Sequence, residues 1–319
     1  MQKLRWGIIS TGKIARTFAT DIQYVDNAYV SGVASRSLDK AQAFAEQLDI
    51  AHSFGSYEEL CESDEVDAIY VATPHNLHLE NSLLAIKSGK HVLCEKPITT
   101  TPEELEQLID AAQKKGVFLM EGMWTYFLPA VIQAKKWVEE GRIGKIIHIK
   151  ADFGFNAAYN PEGRLYNPDL AGGTLYDMGI YPIAISWYFL QQKPSSIDIE
   201  AHFAATGVDD DVFGRMHFPD VTMHIHSTFR AQLNNSTFII GEKGTIEIPN
   251  FWEAKEAILH QDRQEVDRFK SPGKGRGFEY QIEQSSKDII HGEIESEIVP
   301  FHTSRYFQDQ IQDIFEKIK

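Results

Sequence analysis

From residue 4 to residue 122 the chain switches repeatedly between two hydrophobic periods, and few architectures accept that pattern. Short apolar runs recur as LRWGIIS (4–10), AYVSGVAS (28–35), DAIYVAT (67–73), HVLCEK (91–96) and VFLMEG (117–122). Runs of that length and composition read as strands buried on both faces. Between them lie IARTFATDIQYV, LDKAQAFAEQL, LENSLLAIKSG and TPEELEQLIDAAQKKG, whose apolar residues fall at helical spacing. The last of these opens with Thr101 as N-cap and Pro102 at the first helical position, and closes on Gly116. Strands that alternate with helices require a parallel sheet joined by right-handed crossovers.

Beyond Met123 the texture changes to long alternating runs: KIIHIKADFGF, SIDIEAHFAAT, DVFGRMHF, TMHIHSTFR and STFIIGEKGTIEIP. The last contains GEKG, a hairpin turn between two strands. GGTLYDMGIYPIAISWYFL reads as a helix, and residues 253–277 as polar, with SPGKGRG as a loop. A chain of 319 residues exceeds what one core usually serves. The expected organisation is an α/β domain over residues 1–123, then an α+β domain over 124–319 built on a large, mostly antiparallel open sheet.

Charge narrows the partners. With 31 basic against 46 acidic residues the net charge is −15, so nucleic acid and anionic membranes would repel the protein as a whole. No stretch is long and apolar enough to span a bilayer. The N-terminus has no apolar secretory core, and Cys61 and Cys94 offer no disulfide framework. Cys94, inside an apolar run, reads as a small buried residue. A cytoplasmic protein is expected.

The first strand runs directly into Ser10-Thr11-Gly12-Lys13-Ile14-Ala15. This is the G-x-G-x-x-G/A fingerprint of a Rossmann dinucleotide-binding turn with serine at the first glycine. Gly12 lets backbone approach a pyrophosphate, and the helix N-terminus favours its negative charge. The second strand ends Ala34-Ser35-Arg36, with Lys40 farther on, where an NAD-binding chain usually carries a carboxylate for the ribose 2′-OH. Ser35, Arg36 and Lys40 suit a 2′-phosphate, with Arg36 and Lys40 on one face of the helix start, so NADP is the expected cofactor. The ends of the next two apolar runs face the same cleft, presenting Thr73, Pro74, His75 and His78, then Glu95, Lys96 and Pro97.

In the second half, YDMGIYP places Asp177 and Tyr181 four residues apart on one helical face. A phenol near a lysine cation suits proton transfer to or from an alcohol, which makes Lys96 and Tyr181 the candidate acid/base pair and Asp177 a substrate-side group. Arg164, Tyr159 and Tyr166, in FNAAYNPEGRLYNPDL, are candidates for the pocket wall or for plain surface. His224 and His226, two residues apart on a strand, lack enough partners for a metal site. GEIESE near 292 reads as a solvated loop, and Trp187, Tyr188 and Phe189 as core.

ATPHNLH, GKHVLCEKP, GGTLYDMGIYP and the nucleotide turn together resemble the glucose–fructose oxidoreductase / inositol dehydrogenase / MocA family, nearly end to end. That resemblance implies that Lys96 lies beside the nicotinamide and that the D-x-G-x-[HY] stretch supplies the acid/base, here Tyr181. It also implies that Trp124 lies near the nicotinamide end and that Arg36 meets the 2′-phosphate. The implied activity is NADP-dependent hydride transfer to or from a carbohydrate-like substrate, with D-xylose-like aldoses and trans-dihydrodiols as candidates. A homodimer through the C-terminal sheet is implied in the same way. The competing reading is a non-catalytic NADP-binding sensor, which would have no need of Lys96, Asp177 and Tyr181.

Overall fold

A computed structural model describes residues 3–318. The chain forms two compact units, one comprising the residues up to Trp124 together with Lys274–Arg305, the other Thr125–Gly273 together with the residues from Tyr306 onward. The chain thus passes between units three times, where a single boundary was expected.

The first unit begins with β1 (Leu4–Ile9), α1 (Lys13–Asp21), β2 (Ala28–Ala34), α2 (Leu38–Leu48), β3 (His52–Phe54) and α3 (Tyr57–Glu62). It continues with β4 (Ala68–Val71), α4 (His78–Lys87), β5 (His91–Glu95), α5 (Pro102–Lys115) and β6 (Leu119–Gly122). The strands pair in parallel in the order β3-β2-β1-β4-β5-β6. This is the doubly wound Rossmann order, and it puts every strand's carboxyl end on one edge. β3 was not read from sequence, because three half-buried residues are too few to establish a period. α5 is capped as expected. Thr101 accepts from the Glu104 N–H at 3.2 Å, the Glu104 carboxylate returns to the Thr100 N–H at 2.9 Å, and Gly116 ends the helix at φ 69°.

The second unit contains α6 (Pro129–Glu139), β7 (Ile146–Gly154), α7 (Ile180–Leu190), β8 (Ser196–Phe203), β9 (Asp209–His217) and β10 (Thr222–Thr228). Then come β11 (Ser236–Gly241), β12 (Thr245–Pro249), β13 (Glu256–Gln261) and β14 (Gln264–Lys270). One sheet holds its eight strands in the order β14-β13-β12-β11-β7-β10-β9-β8. Pairing is antiparallel except between β7 and β10. β13 and β14 occupy part of the stretch read as polar connection. Their turn is Asp262-Arg263, both left-handed at φ 49° and 64°, and neither is the glycine or asparagine that normally announces such a hairpin.

Along β10, Met223 and Ile225 are buried while His224 is exposed and His226 half-buried, so one sheet face is core and the other carries polar groups. That outer face carries several close pairs of charged or ionisable groups. Asp198 accepts from His217 at 3.0 Å, Asp211 faces His226 at 2.8 Å, and Lys150 meets Asp152 at 2.8 Å. Among the described residues no group of three or more ligand side chains is arranged to hold a metal.

α8 (Phe278–Ile290) returns to the first unit, where Ser286 accepts from the Trp6 indole N–H at 2.9 Å. Asp21 caps it, accepting from the Arg276 and Phe278 N–H groups at 2.8 and 3.0 Å. α9 (Phe301–Ile318) follows. Glu295, in the loop read as solvated, accepts from the Phe301 N–H at 2.7 Å, and Ser296 is buried.

Candidate active site

At the edge of the parallel sheet, the strand order reverses between β1 and β4, the place where ligands of such sheets bind. Ser10 leaves β1 at φ 111°, a conformation in which glycine is at ease and serine is strained. Two bonds hold it there: its N–H donates to Ala34 O at 3.0 Å, and its Oγ accepts from the Gly12 N–H at 3.1 Å. Gly12 is the N-cap of α1 and provides no side-chain cap. A Cβ built on it would meet only Ser10 Oγ, at 3.3 Å. Thr11, Lys13 and Ile14 complete the turn. The open approach over Gly12, with the leading N–H groups of α1 behind it, fits a dinucleotide pyrophosphate.

Ser35 is buried at the end of β2, whereas Arg36 and Lys40 are exposed. α2 begins only at Leu38, with Ser37 as its N-cap, so Arg36 stands before the helix and not on its face. No carboxylate follows β2 until Asp39, inside α2.

At the end of β4, Thr73 is buried, and Pro74 and His75 are half-buried. His78 is fully buried, with Nδ1 2.7 Å from Pro97 O and Nε2 2.9 Å from Thr73 O. Both ring nitrogens are therefore engaged by backbone, and the imidazole braces the ends of β4 and β5 together. This differs from the cofactor contact expected for it. Burial lowers its pKa, with Lys96 adding to the effect.

β5 delivers Glu95 and Lys96 to the same edge, 7% and 8% exposed. The Tyr70 hydroxyl donates to Glu95 Oε1, and a cis peptide joins Lys96 to Pro97. On β6, Glu121 is 1% exposed, and its Oε1 accepts from the Ile98 N–H at 3.0 Å. Burial raises its pKa to about 7, Lys96 opposing and Glu95 reinforcing the shift. Trp124 packs on Phe278 with ring centroids 4.7 Å apart. Sequence reading missed Tyr70 and Glu121, although polar groups inside apolar strands are a signal worth following.

In the second unit Asp177 and Tyr181 do not share one continuous α-helix. Leu175–Gly179 is a π-helical turn, in which the Ile180 N–H reaches back five residues to Leu175 O. α7 starts at Ile180, and Pro182 falls in its first turn, where the missing N–H costs little. Tyr181 is 5% exposed, and Phe153 meets its ring at 5.5 Å. Arg164 holds Asp177 with both guanidinium nitrogens, at 3.0 and 3.5 Å. Tyr159 and Tyr166 meet edge to face at 5.0 Å, and Tyr166 touches Phe229 at 5.6 Å. Asp209, also missed, sits 2% exposed under the turn and accepts from the Leu175 N–H at 2.7 Å. Burial raises it to about 7.

Comparison with known proteins identifies the family of both parts of the chain. Residues 4–123 match the model of the GFO/IDH/MocA oxidoreductase family with its NAD-binding Rossmann fold, and residues 131–247 match that family's C-terminal domain. The chain belongs to this family. It is 32% identical to trans-1,2-dihydrobenzene-1,2-diol dehydrogenase of Mus musculus, over 97% of this chain and 95% of the relative. The Homo sapiens protein of the same name is 31% identical over 99% and 97%. Among solved structures, an aldose–aldose oxidoreductase of Caulobacter crescentus, complexed with glycerol, superposes with a TM-score of 0.90 at 26% identity, over 99% of this chain and 97% of that one. A 3-ketoreductase of Actinomadura kijaniata, in complex with NADP and TDP-benzene, does so at 0.89 and 25% identity, over 100% and 98%. The protein is an oxidoreductase of the dehydrogenase type.

Proposed function

We propose that the protein is an NADP-dependent dehydrogenase that moves a hydride between the nicotinamide and a carbohydrate-like or dihydrodiol hydroxyl carbon. The observation that carries this reading is a lysine, Lys96, set by a buried strand at the ligand edge of a sheet whose β2 end offers Ser35 and Arg36 but no carboxylate. The turn Ser10–Ile14 holds the pyrophosphate, and Arg36, with Ser35 and Lys40, takes the 2′-phosphate. Thr73, Pro74, His75 and Trp124 line the remainder of the cofactor's path. When bound, the cofactor supplies the nicotinamide C4 that accepts or donates the hydride.

The rest falls to side chains. Tyr181 carries the hydroxyl proton at its phenolic oxygen, Lys96 assists from the nicotinamide side, and Asp177 orients a second substrate hydroxyl. The nearby presence of dihydrodiol dehydrogenases and a sugar oxidoreductase among the relatives supports this substrate class. We further infer a cytoplasmic homodimer associating through the open sheet, a reading supported by the two buried, unbridged thiols only as to compartment.

The test follows nicotinamide absorbance with NADP⁺ or NAD⁺ and D-xylose or a trans-dihydrodiol. Tyr181→Phe is expected to lower kcat by about 10²- to 10⁴-fold with NADP⁺ binding unchanged. Arg36→Ala is expected to raise the KM for NADP⁺ roughly 10- to 100-fold and leave that for NAD⁺ alone. Tight NADP⁺ binding without turnover of any hydroxyl substrate would establish the sensor instead.

A further inference from the structure

Glu121 is a carboxyl where the fold has no evident need of one. It lies on β6 opposite Cys94 of β5, in the register that pairs Glu95 with Gly122. Side chains alternate along strands, so Glu121 shares the sheet face of Cys94, while Glu95 and Tyr70 occupy the other face. The strand end that delivers Lys96 therefore has a carboxyl on each of its faces. On the Glu121 side the neighbours Cys94, Ile98 and Leu119 belong to the apolar core of the unit.

From that position Glu121 reaches the backbone just past the lysine. Pro97 has no N–H, so the first backbone donor after Lys96 is that of Ile98, and Glu121 takes it at 3.0 Å. Ser304 of α9 bears on the same carboxyl, whose second oxygen, Oε2, is buried without a hydrogen-bond partner among the described residues. A glutamine would accept the Ile98 bond without the cost of burying an ionisable group. What a glutamine lacks is charge, and the charge lies within electrostatic reach of Lys96.

We propose that Glu121 is a positioning residue for Lys96: it holds the turn that follows the lysine and, by gaining or losing its proton, sets the field in which the ammonium works. The proposal rests on Lys96 serving the dehydrogenase reaction inferred above. Among the described residues, the titratable groups that bear on Glu121 are Lys96, Glu95 from the other face of the sheet, and Cys94. Lys96 favours its ionised form, Glu95 opposes it, and the Cys94 thiol, pushed well up by burial, stays protonated. Ser304 and the Ile98 backbone carry no charge. With the carboxyl at about 7, it is ionised at pH 8.5 and protonated at pH 5.5, so the hold on the ammonium strengthens as pH rises through neutrality.

Two readouts on Glu121→Gln test this, one of them independent of turnover. In competitive acetylation of the whole protein across pH, followed by mass spectrometry, the titration of Lys96 is expected to fall by about one pH unit in the variant. In steady-state assays with NADP⁺ and D-xylose, the ratio of wild-type to variant kcat is expected to grow from about 1 at pH 5.5 to about 10 at pH 8.5, since one unit of pKa corresponds to a factor of ten. Glu121→Asp, which keeps the carboxyl, is expected to restore part of that limb. If Glu121→Gln does not fold, the wild-type acetylation profile of Lys96 serves alone, and an inflection near pH 7 supports the proposal while a single smooth titration overturns it. An unmoved Lys96 titration with an unchanged pH profile overturns it too, and leaves Glu121 a backbone anchor. A shifted titration in a protein that oxidises no hydroxyl compound supports the hold on Lys96 and overturns the dehydrogenase reading.

Discussion

Glu121 in the parallel sheet and Asp209 in the antiparallel sheet are alike in kind, and their surroundings differ. Each is a buried carboxyl raised to about 7 by loss of water, and each accepts from backbone close in sequence to a residue of the proposed site. Glu121 faces a lysine and one backbone donor. Asp209 faces Asp210, a like charge, and accepts from Leu175 and Thr174 at the start of the π-helical turn. Gly173, at φ 121°, leaves it room, since a Cβ there would overlap Asp209 Oδ1. One acid holds the backbone that follows Lys96, where we propose that its charge bears on the lysine. The other is built where its oxygens shape the backbone that carries Asp177 and Tyr181.

Removing Asp209 is the severest way to test the contrast. Asp209→Ala strands the Leu175 and Thr174 N–H groups without water and opens a hole, at a cost of about 3 kcal/mol. Urea unfolding at pH 6 measures it, and activity is expected to fall with it because the turn loses its support. A loss under about 1 kcal/mol would mean the turn stands by itself.

Next in size is a pH slope. Both folded pKa values lie above the unfolded ones, 4.5 for Glu121 and 3.8 for Asp209, so the native state binds more protons between those values and about 7. Stability therefore falls as pH rises across that window and levels off above it. Glu121→Gln removes one of the two contributions. Its stability relative to wild type is expected to improve by about 2–3 kcal/mol between pH 5 and pH 8, an upper figure because partners relax. Parallel unfolding curves at the two pH values would show instead that water reaches the carboxyl.

The smallest effect is expected at Arg164, 56% exposed on its side chain against 12% for Asp177. An exposed pair of this kind contributes under about 1 kcal/mol, so Arg164→Ala is expected to leave unfolding unchanged. If Arg164 keeps Asp177 oriented for substrate, KM rises by about fivefold with kcat nearly constant. A kcat loss as large as that of Tyr181→Phe would place Arg164 in the chemistry itself.

How much of this was legible in the chain differs between the two units for a physical reason. Parallel strands end on the edge where ligands of such sheets bind, so the residues after each apolar run (Ser10–Gly12, Ser35–Arg36, Thr73–His75, Glu95–Lys96) could be placed at that edge by position alone. The capping residues Thr101, Pro102 and Gly116 were equally local, since a helix end is satisfied by neighbours in sequence. In the second unit the decisive partners are distant. Asp209 meets Leu175 from thirty-four residues away, and nothing in GGTLYDMG marks a π turn rather than an α-helix. The β13–β14 hairpin escaped notice because its left-handed turn uses Asp262 and Arg263.

By itself the amino-acid order determined the alternation of strand and helix, the strand ends gathered on the edge where such sheets bind ligands, and the family to which the chain belongs. Those properties depend on neighbours a few residues apart, where period, turn chemistry and capping operate. The tertiary structure alone decided that His78 braces two strand ends instead of facing outward, that Arg164 pairs with Asp177, and that residues 274–305 complete the first unit. It also decided the ionisation of Glu121 and Asp209. A carboxyl's affinity for its proton depends on how much water and which charges surround it, and for these two the surroundings are assembled from strands and helices far apart in the chain.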